Sequence, residues 1–145
     1  KDALVAERLV DYGQFIEENP EAVLEPVRKA ILAGRSYSAQ DLYTTLRRLK
    51  LLNRLARKEL APFDALVVPT VTRMFKISEM LANPMDNNNI MGTYTYFANP
   101  LNLCAVSVPG KTRGDGLPSA LCFVAPDGQD GVIRRIGDDF EQQRD

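Results

Sequence analysis

Three short apolar runs in the second half of the chain constrain its fold most. Residues 65–68, 103–108 and 120–125 are apolar at almost every position, without an alternating polar face. Runs of this length and composition are typical of strands buried on both faces of a sheet that helices cover. Three such strands make a small sheet for a chain with so many helices. We therefore expect further strands to come from elsewhere in a larger protein.

A helix is predicted near the start of the chain. Apolar residues recur at every third or fourth position from Val5 to Ile16, including Tyr12. Asp2 can cap the start of this helix. The helix should end at Asn19-Pro20, because the residue before a proline avoids the helical region.

Two more helices are predicted in the first half. Pro26 suits the first turn of a short helix that ends near Gly34. Ser38 and Asp41 form a capping box at the start of a long helix, and Pro62 should end it.

The connections in the second half are predicted from their composition. Residues 83–92 are polar, contain Pro84 and hold three consecutive asparagines, which predicts a loop. Residues 93–101 are predicted to form a short helix. Asp127-Gly128 predicts a turn into a last helix near residues 132–142.

The bulk composition is that of a globular protein. Of the 145 residues, 45% are hydrophobic and 26% are charged, and the net charge is −1. This balance offers no overall field to attract nucleic acid or an anionic membrane. No apolar run approaches the ~20 residues of a membrane span, and no signal-peptide pattern opens the chain. We therefore expect a cytoplasmic protein, and the lack of an initiator Met suggests that it continues upstream.

Cys104 and Cys122 both lie in apolar runs. We expect them to be buried free thiols in a reducing compartment rather than a disulfide. The chain has no His, no CxxC motif and no clustered carboxylates, so a zinc or iron site is not expected.

Basic residues cluster on the polar side of the predicted long helix: Arg47, Arg48, Lys50, Arg54, Arg57 and Lys58. One interpretation is a solvated face that pairs with acidic neighbours, and the other is contact with nucleic acid or phosphate. The absence of interleaved aromatic residues and the small net charge favour the solvated face.

Motifs of common catalytic sites are absent from the sequence. A Ser-His-Asp triad is impossible without His, and none of the serines lies in a GxSxG or SxxK motif. No Gly/Ser-rich run could build an oxyanion hole, and no phosphate loop or dinucleotide fingerprint is present. No catalytic residue is therefore predicted within this chain.

Several stretches stand out in order along the chain: VAERL in residues 5–9, FDALVVPT in residues 63–70, ISEMLANP in residues 77–84, GTYTYFAN in residues 92–99, and VPG with DGLP in residues 108–118. Together they resemble the amidase-signature hydrolases and especially their allophanate hydrolase branch. The strand and the DGLP element indicate the superfamily, whereas VAER and GTYT favour the allophanate hydrolase branch.

The resemblance implies that residues 1–145 are the C-terminal segment of an amidase-signature domain. Its α/β fold would be part of an α/β/α sandwich with a mixed central sheet. Helices would occupy residues 2–61, a strand-rich core segment residues 63–126, and a terminal helix residues 128–143. The family's nucleophilic Ser, its second Ser on a cis peptide and its Lys base belong to the N-terminal half of the domain. The resemblance therefore implies a segment that is inactive alone.

One binding residue follows from the resemblance. In the allophanate hydrolase branch the arginine of VAER holds the substrate carboxylate, together with a tyrosine eight residues earlier. The arginine matches Arg8, and the tyrosine position falls directly before Lys1. A planar guanidinium offers a carboxylate two parallel donors, a geometry that favours acids over neutral amides. The alternative is that Arg8 is a surface residue that pairs with a nearby acid.

Three positions depart from the family pattern. A serine-arginine pair usually precedes the dipeptide that ends in Gly92, whereas this chain has the uncharged sequence NNI in residues 88–90. The change falls in residues 89–95, which are a weaker candidate for a wall of the substrate pocket. In addition, Ala120 replaces a glycine, and Pro100 replaces an aliphatic residue.

Three functions remain open at this point. The first is a segment of an enzyme that converts allophanate to ammonia and carbon dioxide in urea degradation. Its partners would be a small amide substrate that bears a carboxylate, the rest of the amidase domain and possibly a second copy in a homodimer. The second is a general amidase of the same superfamily, favoured by the loss of charge near Asn88. The third is a non-catalytic remnant that acts as a scaffold or partner subunit.

Overall fold

The computed structural model describes residues 3–143. The chain divides into two compact units, Lys1–Leu51 and Leu52–Asp145. Helices make up the first unit, and the strands belong to the second. A long helix, α3, contributes residues to both units because it extends over Ala39–Leu60.

One helix of the first unit ends before a proline, and the next has a proline in its first turn, as predicted from the sequence. Helix α1 spans Val5–Glu18, and the N–H of Asn19 donates to the Phe15 carbonyl at 2.9 Å before Pro20 begins a short 3-10 turn. Helix α2 spans Glu25–Leu32 and has its proline in the first turn. Both helices confirm the predictions. The proposed cap, Asp2, lies outside the described residues.

A second 3-10 turn, Ala33–Ser36, packs against α1. Its Gly34 is buried, and a Cβ there would lie 3.2 Å from each of Ala6 Cα, Leu9 Cβ and the Val5 carbonyl oxygen. Glycine therefore permits an approach to the α1 backbone that a side chain would crowd. An ion pair between Arg35 of the turn and Glu17 of α1 joins the same two elements.

Helix α3 begins at the predicted capping box and ends two residues before Pro62. The N–H of Ser38 donates to Asp41 Oδ2 at 2.9 Å, and the N–H of Asp41 donates to Ser38 Oγ at 3.1 Å. Although the helix has 22 residues, none of them is buried. Among the helices of residues 3–143, none has the length and apolar character that crossing a membrane requires.

Three strands form one antiparallel sheet in the part of the chain that the structure describes. They are β1 (Leu66–Pro69), β2 (Leu103–Pro109) and β3 (Ala120–Pro126). The order is β1-β3-β2, so β3 is central, and its Val124 is 1% exposed. The predicted burial on both faces is wrong for β1, where Leu66 is 37% and Val67 is 48% exposed, and for β2, where Ala105 and Ser107 are exposed. Within the described residues, both strands lie at an edge of the sheet and pair with β3 alone.

The last helix, α6 (Asp130–Gln143), packs against the sheet and confirms the predicted terminal helix. The turn before it contains Gly128 at φ +79, a conformation that favours glycine. Ile133 of α6 is 2% exposed and belongs to the core. Gly137 allows the helix to approach β2 closely, because a Cβ there would lie 3.0 Å from Val108 Cγ1.

The prediction of a loop in residues 83–92 is wrong. Two short helices occur in this region, α4 (Ile77–Ala82) and α5 (Pro84–Met91). The asparagines that suggested a loop form tertiary hydrogen bonds instead. Asn87 Nδ2 donates to the carbonyl of Glu79 at 2.8 Å and thereby ties α5 to α4.

The prediction of a helix in residues 93–101 is also wrong. This segment is a series of hydrogen-bonded turns, with contacts such as Tyr96 N–H to the Gly92 carbonyl at 2.9 Å. Pro100 has no N–H for a helical hydrogen bond, and Asn102 adopts a left-handed φ of 51° before β2 begins. The chain therefore turns rather than continuing along a helix axis.

The two cysteines are free thiols, as predicted. Cys122 on β3 is 5% exposed, and its burial raises the pKa of the thiol. Cys104 on β2 is half-buried, and its Sγ donates to the Pro126 carbonyl at 3.2 Å.

Candidate functional site

Arg8 lies on the exposed side of α1. The 3-10 turn around Gly34 contacts the side of α1 that carries Val5, Ala6 and Leu9. Side chains three and four residues apart share a helix face, so Ile16 extends this inner side, where it is 2% exposed. The packing of α1 therefore fixes the helix while its Arg8 side chain remains at the surface of the unit.

The guanidinium of Arg8 forms no hydrogen bond or ion pair with the residues that the structure describes. Glu7 and Asp11 are its acidic neighbours on α1, and neither forms an ion pair with it. Such pairing was the alternative interpretation of this residue. All five N–H donors of the guanidinium are therefore available to an external acceptor, such as a carboxylate or a phosphate.

Two aromatic residues share the flank of α1 that carries Arg8. Tyr12 and Phe15 follow Arg8 by four and seven residues, so the three side chains project from one side of the helix. Tyr12 is 55% and Phe15 is 53% exposed. Sequence periodicity had placed Tyr12 among the inward-facing residues. This flank therefore combines a cation, a phenol hydroxyl and an apolar ring at the surface of the helix.

The weaker pocket candidate, residues 89–95, belongs to the second unit and is internally hydrogen-bonded. Tyr96 Oη donates to the Asn88 carbonyl at 2.9 Å and accepts from Asn88 Nδ2 at 2.8 Å. The tyrosine ring lies over Gly92, where a Cβ would be 2.3 Å from the ring Cζ. Thr72 Oγ1 donates to the Ile90 carbonyl at 2.7 Å. Because these polar groups are hydrogen-bonded to one another, they form a fixed surface and are not free to bind a ligand.

The described serines are not arranged as nucleophiles. Ser107 Oγ lies 2.7 Å from Thr70 Oγ1, and Ser119 Oγ donates to the backbone carbonyl of Lys111 at 2.6 Å. No described serine hydroxyl is hydrogen-bonded to a lysine amine, which is the kind of base that a nucleophile needs within reach. Within residues 3–143, no cluster of three or more His, Cys, Asp or Glu could hold a metal.

An open cleft of about 380 Å³ lies between the end of α3, the start of β1 and the start of α6. Its charged lining residues are Arg57 and Asp64. Arg57 is already paired with Asp127 and donates to Asn53 Oδ1 at 3.1 Å. The guanidinium in this cleft is therefore already paired, whereas the guanidinium of Arg8 on α1 is not.

The sequence profile of the Amidase family matches residues 4–133 of this chain. The chain belongs to the amidase family. This assignment confirms the resemblance that the VAERL, FDALVVPT and GTYTYFAN stretches indicated.

Within that family the chain is similar to allophanate hydrolases and urea amidolyases. It is 28% identical over 140 residues to urea amidolyase of Saccharomyces cerevisiae, covering 95% of this chain and 8% of that protein. It is 32% identical over 124 residues to urea amidolyase of Lachancea kluyveri, covering 84% and 7%. The structure of allophanate hydrolase from Kluyveromyces lactis superposes with a TM-score of 0.89 at 27% identity.

That superposition covers 99% of this chain and 24% of the Kluyveromyces lactis chain. The chain thus spans about a quarter of the allophanate hydrolase and less than a tenth of each urea amidolyase. Its fold is that of part of an amidase-signature domain, as the sequence predicted.

Proposed function

We propose that this chain is the C-terminal part of the amidase domain of an enzyme that hydrolyses allophanate. The superposition on allophanate hydrolase over 99% of the chain is the observation that carries the proposal. The nucleophilic serine, its partner serine and the lysine base would come from the rest of that domain. We therefore expect the segment alone to be inactive, and the whole enzyme to act without a metal or organic cofactor.

The proposed reaction is hydrolysis of the terminal amide of allophanate. The serine would attack the amide carbon, and the amino group would take a proton and leave as ammonia. Water would then release the acyl group from the serine. The product, N-carboxycarbamate, would lose one carbon dioxide to give carbamate, and the carbamate would decompose to a second carbon dioxide and a second ammonia. Arg8 takes no part in these bond changes, because its role is to hold the carboxylate at the other end of the substrate.

Arg8 would select a substrate with a carboxylate. Its exposed, unpaired guanidinium on a packed helix supports this role. Two parallel N–H donors match the two oxygens of a carboxylate, whereas a carboxamide presents one oxygen and one NH₂ group to the same donors. An enzyme with this contact should therefore prefer allophanate to biuret, in which a carboxamide replaces the carboxylate.

The test compares Arg8→Ala and Arg8→Lys in the full-length enzyme. Loss of two charge-assisted hydrogen bonds should cost about 3 kcal/mol, or roughly 150-fold in the KM for allophanate. The KM of Arg8→Lys should fall between the KM of the unmodified enzyme and that of Arg8→Ala, because an ammonium keeps the charge but not the paired geometry. The rate of ammonia release at different allophanate concentrations gives the KM of each variant.

Biuret supplies the matched control for this experiment. The KM for biuret should change little in Arg8→Ala, so the preference for allophanate should disappear. An unchanged KM for allophanate, or an equal increase for both substrates, would remove Arg8 from the binding site. An unchanged KM for allophanate would leave the amidase assignment intact and would mean that another residue binds the carboxylate.

A general amidase of the same family is the second candidate. The uncharged sequence of residues 88–90 favours it, because a pocket wall without charge suits a neutral amide. This candidate predicts faster hydrolysis of neutral carboxamides than of allophanate by the full-length enzyme.

A cytoplasmic location of the enzyme remains part of the proposal.

A further inference from the structure

Asp127 binds two separate parts of the unit Leu52–Asp145 through its two carboxylate oxygens. Its Oδ1 accepts from Arg57 near the end of α3, and its Oδ2 accepts from Asn102 Nδ2 at 2.9 Å. Asp127 lies in the turn between β3 and α6, and Asn102 directly precedes β2. Because Leu103 pairs with Pro126 at this end of the sheet, the bond between Asn102 and Asp127 extends the pairing of β2 and β3 by one position.

Asn53 closes these contacts into a ring of polar groups. Its Oδ1 accepts from Arg57 Nε at 3.1 Å, and its Nδ2 donates to the Leu101 carbonyl. Leu101 is followed directly by Asn102, which leads back to Asp127. The polar ring therefore joins one turn of α3 to the start of β2 and the start of α6. All of its members belong to one compact unit of the chain.

The backbone at Asn102 suits this arrangement. The residue adopts a left-handed φ of 51°, and asparagine tolerates this conformation better than most residues that carry a side chain. Its N–H donates to the Asn99 carbonyl at 3.0 Å. A backbone hydrogen bond thus holds the turn, and the side chain of Asn102 is available to bind Asp127.

Polar contacts dominate the attachment of this part of α3. No residue of the helix is buried, and Leu52 and Leu55, on either side of Asn53, are 39% and 47% exposed. Within the part of the chain that the structure describes, residues 52–60 form hydrogen bonds to other elements only through Asn53 and Arg57. The end of α3 therefore depends on the polar ring more than on apolar packing.

We infer that the polar ring is a latch that holds the end of α3 on the sheet and opens as one unit. Asn53, Arg57 and Asp127 each have two partners in the ring, so the loss of one contact weakens the others. Opening lets the charges of Arg57 and Asp127 hydrate, since their side chains are already 41% and 46% exposed. Salt screens the attraction between them and should favour the open state.

The sheet itself does not depend on the latch. Its core contains Phe123 of β3 and Ile133 of α6, which are 5% and 2% exposed and lie outside the polar ring. The end of α3 can therefore detach while β2, β3 and α6 stay folded, as a local opening of low free energy. A released helix end frays, because a short helix without tertiary contacts is marginal in water. This motion does not depend on the proposed reaction.

Hydrogen exchange followed by mass spectrometry measures the opening in the full-length protein. Asp127→Asn removes the charge and keeps the size of the side chain. Amides of residues 53–60 should then exchange about ten-fold faster, because a charge-assisted hydrogen bond is lost, whereas amides of β2 and β3 should keep their rates. High salt should accelerate exchange at residues 53–60 in the unmodified protein and have little effect in Asp127→Asn.

Two further variants distinguish the latch from a general loss of charge. Asp139→Asn removes a carboxylate from an exposed position of α6 that has no partner among residues 3–143, so exchange should not change. Asp127→Asn should add little to a protein that already carries Arg57→Gln, because the ring is then open. The inference is overturned by unchanged exchange at residues 53–60, by equally faster exchange throughout the sheet, or by additive effects of the two substitutions.

Discussion

Replacing Gly92 by alanine is expected to break the contact between α5 and the turn that follows it. Gly92 ends α5 with φ −81 and ψ 0, a conformation that alanine can adopt. The obstacle is the ring of Tyr96. An added Cβ would lie 2.3 Å from its Cζ and 2.6 Å from its Cε1 and Cε2, so the ring must move away.

The expected magnitude follows from the hydrogen bonds that the moving ring would lose. Tyr96 Oη makes two with Asn88, at 2.8 and 2.9 Å. Each contributes on the order of 1 kcal/mol to the free energy of unfolding. The replacement of glycine by alanine returns less than ~1 kcal/mol through the unfolded state. The net loss should therefore be about 1–2 kcal/mol.

A double-mutant cycle with Tyr96→Ala isolates this contact. Urea unfolding followed by circular dichroism gives the four free energies. Gly92→Ala should destabilise the protein that retains Tyr96 and should be close to neutral once the ring is gone. Gly131→Ala is the matched control, because a Cβ at this helical position meets no atom within 4 Å. Equal costs of Gly92→Ala in both backgrounds would refute the reasoning.

Other substitutions test the packing and the cysteines. Ile133→Ala should lower the free energy of unfolding by about 3 kcal/mol through cavity formation, whereas Ile77→Ala, at a side chain that is 79% exposed, should change it by less than ~0.5 kcal/mol. Urea denaturation compares them, and equal effects would contradict the assigned core. Gly34→Ala should cost about 1–2 kcal/mol by crowding α1, which a lower melting temperature would show and an unchanged one would disprove. Cys122 should react slowly with iodoacetamide at neutral pH, because its raised pKa and its burial both limit the reactive thiolate. The reaction should accelerate as the pH rises or as urea unfolds the protein, and rapid alkylation of the native protein would contradict the burial.

Local signals in the sequence predicted most of the helix ends and strands. The box formed by Ser38 and Asp41, the stop at Pro20 and the turn at Gly128 depend on neighbouring residues only, so they could be recognised without the fold. The apolar composition of the β3 run likewise predicted that this strand is buried. The exposure of β1 could not be predicted, because burial depends on which strand occupies the edge of the sheet.

The errors fall where tertiary contacts override local preference. Three consecutive asparagines normally favour a loop, yet Asn87 and Asn88 bind Glu79 and Tyr96 and thereby hold α5 in place. None of these partners is within four residues in the sequence. The role of Arg8 stays a prediction from the VAER motif, whereas the exposure of Tyr12 beside it depends on the packing of α1 against the turn at Gly34.

Ammonia release from allophanate, measured for the 145-residue chain and for the full-length enzyme at equal concentration, shows which of the two is catalytic. We expect ammonia from the full-length enzyme alone, because the nucleophile and its base would be supplied outside this chain. Activity of the isolated chain would contradict the assignment of catalysis to the rest of the domain. A folded full-length protein that releases no ammonia from allophanate would contradict the proposed substrate.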